Sequence, residues 1–489
     1  MTRPIHRLTR RAALGIGALG LATPAILSAQ GMMGGGHMGG GAGALPTAGA
    51  PFRLLPLRET AEGALTLTAT SGETRFGRAG TPTMGYDGTY LGPTLRLRRG
   101  RTVAARVSNA TNVPVSTHWH GLNVPSDADG GAMQSVIAPG GTWDAALPVD
   151  QSAATLWYHT HVHGRTAPDL WAGLAGAIIV EDEASDALGL PSEHGVDDLV
   201  LILQDKRFDA DGRAIYDPGM MEIMHGHVGD AVLANGQFAP VAQVPAGLVR
   251  LRLINAATSA EHRIAFPGGA QLIGVDQGLL PAPVAVADIV LAPGERAEIV
   301  VEVAPGAEVA PMIQANSVGG GMGGTSTPHP LIHLRADDRR GAGRLRDRLA
   351  PDPEPLPEPV AARTFTLQEN MGPVQMVRHA SGLGARMTIN DAAYDPDRID
   401  FTPRRGTVER WVLETDGMAH PFHAHGVKMR VLGPTRPEEA GWKDVVTVAG
   451  RREVLALIEG ETRRDVPFMF HCHILEHEDA GMMGQFMTA

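Results

Sequence analysis

FMFHCHILEHEDAGMM, residues 468–483, carries the only cysteine of a 489-residue chain, set between two histidines and followed by a third histidine and two methionines. The run FMFHCH has the aromatic and apolar character of a buried strand. Successive side chains of an extended segment point to opposite faces, so His471 and His473 face one way and Cys472 the other. One strand can therefore serve two sites back to back. Working outward, the chain holds His118-x-His120, His159-x-His161 and His420-x-x-His423-x-His425. A single His-x-His is usually a surface or core pair, but matching motifs in two repeats are hard to obtain by chance.

The repeats are visible around the motifs. TLRLRRGRTVAARVSNATNVPVSTHWHG (94–121) and IDFTPRRGTVERWVLETDGMAHPFHAHG (399–426) share an Arg-Arg-Gly turn, an apolar strand and a closing His-x-His-Gly. LWYHTHVHG (156–164) and FMFHCHILEH (468–477) each run an aromatic strand into His-x-His. LVRLRLINAATSAEHRIAFPG (248–268) has the strand pattern without the histidine pair. One domain type occurring three times is expected, the central copy bare of metal. The loop-like 181–198 and the proline-rich 350–363 separate segments 50–182, 198–336 and 362–489, each the size of one domain. Abundant glycine (61) and proline (36) with modest charge favour strands and turns, so the predicted class is all-β, three consecutive Greek-key β-sandwiches.

The formal net charge of −11 offers no case for nucleic acid, and small molecules or metal ions are the expected partners. Residues 1–30 read as a signal peptide: a basic HRLTRR, an apolar stretch broken by Gly15, Gly17, Gly20 and Pro24, and Ser28-Ala29 before Gln30. Arg10-Arg11 resembles a twin-arginine signal, a route for folded cargo. The mature protein is expected to be periplasmic or secreted, with no membrane span. In an oxidising compartment an unpaired cysteine needs another partner. Residues 31–49 form a Gly/Met-rich arm.

Thiolate and thioether are soft donors that favour copper, and Cys472, His420, His477 and a weak axial Met482 make a blue-copper donor set. Met483 competes for the axial place, and the spacing from His477 favours Met482. Eight histidines remain: His118, His120, His159, His161, His423, His425, His471 and His473. Half come from each terminal domain, so their cluster must lie between these domains. Neutral imidazoles suit copper ions with open positions, whereas structural zinc prefers closed sets rich in cysteine.

HWHG, YHTHVHG, HPFHAHG and HCHILEHEDAGMM together resemble the four signatures of the multicopper oxidases, laccase-like enzymes of three cupredoxin domains. The resemblance spans essentially the whole mature chain. It implies four copper ions: a type 1 ion held by His420, Cys472, His477 and Met482, a type 2 ion by His118 and His423, and a type 3 pair by His120, His159, His161, His425, His471 and His473. It also implies one-electron oxidation of a reductant, with passage through Cys472 to its flanking histidines and four-electron reduction of dioxygen to water. Asp129 and Glu478 sit where similar oxidases keep proton-relay carboxylates; a turn-forming Asp and a surface Glu are the bland readings. His163 is read as a non-ligand.

The branch most resembled contains cuprous oxidases, bacterial laccases and bilirubin oxidases, so the reductant is expected to be Cu(I) or a small aromatic compound. Asp416 and Met418 match a Cu(I)-binding pair before the type 1 histidine; a turn and ordinary packing are the equal alternatives. ENMGPVQMVRHASGLGARM (369–387) stands in place of a longer Met-rich insert. GMMEIMHGHVGD (219–230) is either a cap on the substrate site or a loop packing on methionine. The competing functions are a copper-storage protein and a copper-free cell-envelope scaffold, the latter expected to have lost ligands.

Overall fold

The computed structural model describes residues 45–60, 63–315, 327–370, 386–415 and 417–489. The signal segment, residues 31–44 of the arm, residues 371–385 and Asp416 lie outside them. The chain is all-β, as the sequence predicts, with short helices only at turns. No helix among the described residues is long and apolar enough to cross a membrane.

Two four-stranded sheets form the first sandwich, one ordered Leu57–Glu59, Thr94–Arg98, Ala175–Glu181, Ala154–His159 and the other Thr81–Tyr86, Ala64–Thr74, Arg101–Asn109, Thr142–Val149. Leu65, Leu67 and Ala69 alternate with more exposed neighbours, as do Val103, Ala105 and Val107, and these inward rows make the core. Ala154–His159 is buried along its whole length. Leu156 and Tyr158 enter this core, while Trp157 faces a second cluster containing Val200, Leu233 and Ile254 of the middle segment. The strand that delivers His159 is thus clamped on both faces.

In the middle segment the strands join one eleven-stranded network. At its centre Val241–Asn255 pairs with Asp198–Phe208 and His333–Arg340 in parallel and with Arg296–Val303 antiparallel. The pairing register shifts at Val244/Ala246, Ala265/Ala270 and Leu272/Gly274 along these long strands. Leu251, Leu253, Ile299 and Val301 are among the residues of the enclosed core.

The last segment pairs a five-stranded sheet with a four-stranded one ordered Val445–Val448, His420–Ala424, Phe468–Cys472, Met483–Phe486. Between them Phe365 packs against Trp411 and Phe470 with ring centroids at 4.9 and 5.2 Å, tilted or edge-on as aromatic quadrupoles prefer. Phe468, Phe470 and Cys472 belong to this core, whereas Met469 packs with Ala132 of the first segment. The alternation of faces expected along this strand is present.

Candidate metal centre

Two registers place the thiol side. Phe422 pairs with Cys472 and His423 with His471, so His420, two residues from Phe422, falls on the cysteine's face. The odd-numbered His423 and His425 fall on the other, which is the physical sense of the spacing His-x-x-His-x-His. The Cys472 Sγ lies 3.4 Å from His420 Nδ1 and 3.8 Å from His477 Nδ1, and the two nitrogens are 3.3 Å apart. All three residues are fully buried. His477 reaches back because the chain turns into the helix Leu475–Asp479. Met482 packs in the same apolar cluster as Cys472, and Met483 in the cluster with Ala132 and Met469, so strand alternation separates the two methionines.

The remote nitrogens are held by oxygen. His420 Nε2 meets Glu369 Oε1 at 3.1 Å, and His477 Nε2 meets the Met224 carbonyl at 3.2 Å. Each contact leaves Nδ1 as the lone pair turned toward sulfur. Burial pushes the Cys472 thiol well above its usual pKa. A bare thiolate is therefore penalised here, and a cation would supply the missing charge.

On the opposite face the eight remaining histidines converge. His118 Nδ1 donates to the Asp129 carbonyl (2.9 Å) and His423 Nδ1 to the Asp444 carbonyl (2.8 Å), while both Nε2 atoms are buried without a partner. The Nε2 of His471 lies 3.2 Å from that of His161 and 3.4 Å from that of His425. His120 Nδ1 faces His159 Nε2 at 3.4 Å, and the His473 ring, with both nitrogens unpartnered, sits 5.2 Å from that of His120. Lone pairs aimed at one another in a dry site repel unless a cation lies among them. Burial also drives the imidazoles of His120, His159, His423, His425 and His473 well below their usual pKa, into the neutral form that binds metal. The donor chemistry fits copper at both faces.

The two acidic residues singled out in the sequence touch this cluster. Asp129 Oδ2 accepts from His425 Nδ1 at 2.6 Å. Glu478 approaches His471 Nδ1 at 3.0 Å and His161 Nδ1 at 3.4 Å, and accepts from the Thr166 hydroxyl at 2.7 Å. Burial opposes ionisation of Glu478, but His161, His471 and Thr166 outweigh it and hold the carboxyl well below its usual range. A narrow cleft lined by Asp129, His118, His423, Asn123, Lys428 and Glu459 adjoins the cluster.

Met418 lies against the Cys472 core and its backbone N–H donates to Glu369 Oε1 at 2.8 Å, whereas Asp416 is outside the described residues. His163 stands apart from the cluster beside Tyr394, ring centroids 5.0 Å apart. In the stretch 219–230, the helix Met220–His225 puts Met224 against the Cys472 core. Glu369, Thr166, Asp444, Arg296 and Gln277 escape sequence reasoning. They occupy no histidine motif, and only the tertiary fold brings them to the imidazoles.

Comparison with known proteins gives the same picture of the fold. Family models described as multicopper oxidase match residues 68–185 and 362–489. A cell division protein FtsP of Photorhabdus laumondii is 35% identical over 84% of this chain and 86% of its own length. That of Yersinia pestis is 37% identical over 83% of this chain and 84% of its own. Among solved structures, the laccase-like multicopper oxidase CueO from Ochrobactrum sp., with oxidase activity towards lignin model compounds and lignosulfonate, superposes with a TM-score of 0.82 at 35% identity, covering 90% of this chain and 100% of that one. McoA of Aquifex aeolicus superposes with a TM-score of 0.80 at 26% identity, over 90% and 100%. The family models, the relatives and the paired clusters of buried imidazoles agree: this chain belongs to the multicopper oxidase family.

Proposed function

We propose that the chain is a working oxidase that couples one-electron oxidation of a reducing substrate to four-electron reduction of dioxygen to water. The observation that carries this reading is that every ligand position assigned by resemblance is filled by a donor of the right type, and that the donor nitrogens and sulfur converge in two dry clusters joined by one residue. His420, Cys472, His477 and Met482 would hold the electron-accepting copper. His118 and His423 would hold a second ion, and His120, His159, His161, His425, His471 and His473 a pair. When bound, copper supplies the redox chemistry that imidazole and thiolate lack.

The chain's own residues do the rest. Cys472 is bonded through the backbone to His471 and His473, so an electron reaching its sulfur has a short covalent route to the imidazoles on the other face. Glu478 and Asp129 hold protons beside the dioxygen-facing histidines, Glu478 at the Nδ1 atoms of His161 and His471 and Asp129 at that of His425. Asp129→Asn is expected to slow re-oxidation by dioxygen by roughly 100-fold while leaving the blue absorption unchanged; a stopped-flow trace equal to wild type removes Asp129 from the relay.

The surroundings of the thiol site favour a small reductant. Both imidazoles are fully buried with Nε2 engaged, so neither presents an edge to a bulky aromatic ring. Beside them stand the Glu369 carboxylate and the partly buried Met418 and Met220, whose thioethers are soft donors suited to Cu(I). The reading includes periplasmic or secreted location and the domain limits given above.

The FtsP relatives are named cell division proteins, which favours a second reading, the copper-free scaffold. Copper loading separates the two. The purified chain should take up four copper ions, turn blue and consume dioxygen with Cu(I) faster than with a phenolic dye or bilirubin. A chain that stays colourless and consumes no dioxygen is the scaffold.

A further inference from the structure

The middle segment contributes no histidine to the clusters, yet one of its side chains lies at their edge. Arg296, fully buried, begins the strand Arg296–Val303. Nη1 and Nη2 form a fork on Asp444 Oδ1 (2.5 Å) and Oδ2 (2.6 Å) of the last segment. Nη1 also donates to the Gly294 carbonyl (3.0 Å), Nη2 to that of Asp276 (2.9 Å), and Nε to that of Thr155 in the first segment (3.3 Å). All donors of the guanidinium are used. Asp444 is equally saturated: Oδ1 also accepts from His120 Nε2 at 3.1 Å, Oδ2 accepts from Gln277 Nε2 at 2.5 Å, and its carbonyl accepts from His423 Nδ1 at 2.8 Å.

We infer that Arg296 is a positioning residue for the dioxygen-facing centre, acting through Asp444 to set the tautomer of His120 and to hold in place the backbone carbonyl that orients His423. This rests on the reading that the eight histidines bind copper. A carboxylate locked by a guanidinium fork can only accept, so His120 must carry its proton on Nε2 and offer Nδ1 to metal. A carbonyl can only accept, so His423 must carry its proton on Nδ1 and offer Nε2. These histidines come from opposite terminal segments, and the arginine from the middle one anchors the aspartate that meets both. The packing has no slack. Gly121, which follows His120, has φ +87°, and a Cβ there would lie 2.7 Å from Arg296 Nη2 and 2.8 Å from Asp444 Oδ2. The glycine of HWHG is small because this ion pair occupies the space beside it.

The test compares wild type, Arg296→Gln, Arg296→Lys and, as a control, Arg252→Gln. Arg252 is another buried arginine of the middle segment, paired with Asp198 and Glu298 and not with Asp444. Each full-length protein is titrated with copper and followed by metal analysis, visible absorption and electron paramagnetic resonance. Arg296→Gln should keep the blue band, bind copper at the dioxygen-facing centre roughly 10–100-fold more weakly, and lose the resonance of the copper held by His118 and His423. Arg296→Lys, charged but without the fork, should recover binding with altered hyperfine splitting. Arg252→Gln should give the wild-type resonance. Wild-type copper content and resonance in Arg296→Gln overturn the inference, as does the same loss in Arg252→Gln. If Arg296→Gln fails to fold, an unaltered resonance in Arg296→Lys overturns it. Wild type that binds no copper beyond the blue site overturns the oxidase reading itself, whereas a fully loaded wild type with unaffected Arg296 variants overturns only the clamp.

Discussion

Cys472→Ser is expected to abolish the absorption at about 600 nm and to lower turnover with any reductant by roughly 1,000-fold or more, while the dioxygen-facing copper is retained. Serine is close in size, and its oxygen can accept the Ile474 N–H that now reaches Sγ at 3.3 Å, so the local backbone is kept. What is lost is the soft donor between His420 and His477, and with it the covalent route to His471 and His473. Metal analysis with visible and magnetic-resonance spectra checks the first part, and anaerobic reduction followed by exposure to dioxygen checks the second. Full turnover in the serine variant would remove Cys472 from the electron path.

The second large effect is at Glu478. Glu478→Gln should slow re-oxidation by dioxygen by roughly 100- to 1,000-fold and leave the blue band in place. The amide oxygen can take the place of Oε1 and still accept from Thr166, but the amide nitrogen in the place of Oε2 cannot accept from His471 Nδ1 as the carboxylate does, and it cannot take up a proton as the carboxylate can. Stopped-flow re-oxidation of the fully reduced protein reads this step apart from substrate oxidation. A rate equal to wild type would leave Glu478 a structural anchor of the helix Leu475–Asp479.

These predictions start from residues that the sequence makes legible. Strand alternation is a local rule, so the facing of Cys472 against His471 and His473 follows from three consecutive letters, and the registers with His420–Ala424 agree with it. The repeated histidine motifs and the class of fold follow from the same kind of short-range pattern, and the expectation of Met482 over Met483 from its spacing after His477. The middle segment is less legible. Its strand pattern is plain, but its eleven-stranded network arises from long strands that shift register and whose pairing partners are far apart in the chain.

Glu369, Asp444 and Arg296 could not be read from their surroundings, since a carboxylate in LQEN or GWKD, or an arginine in PGER, looks like an ordinary turn or strand charge. Their roles depend on pairs separated in the chain by 51 residues for Glu369 with His420 and 148 for Arg296 with Asp444. Which donors share a face was written in local spacing, because a two-residue period needs no partner to be expressed. Which nitrogen of His118, His120, His420, His423 and His477 is engaged by oxygen was settled only when the segments closed on one another, because a buried polar group finds its partner through the packed fold and not through its neighbours in the chain.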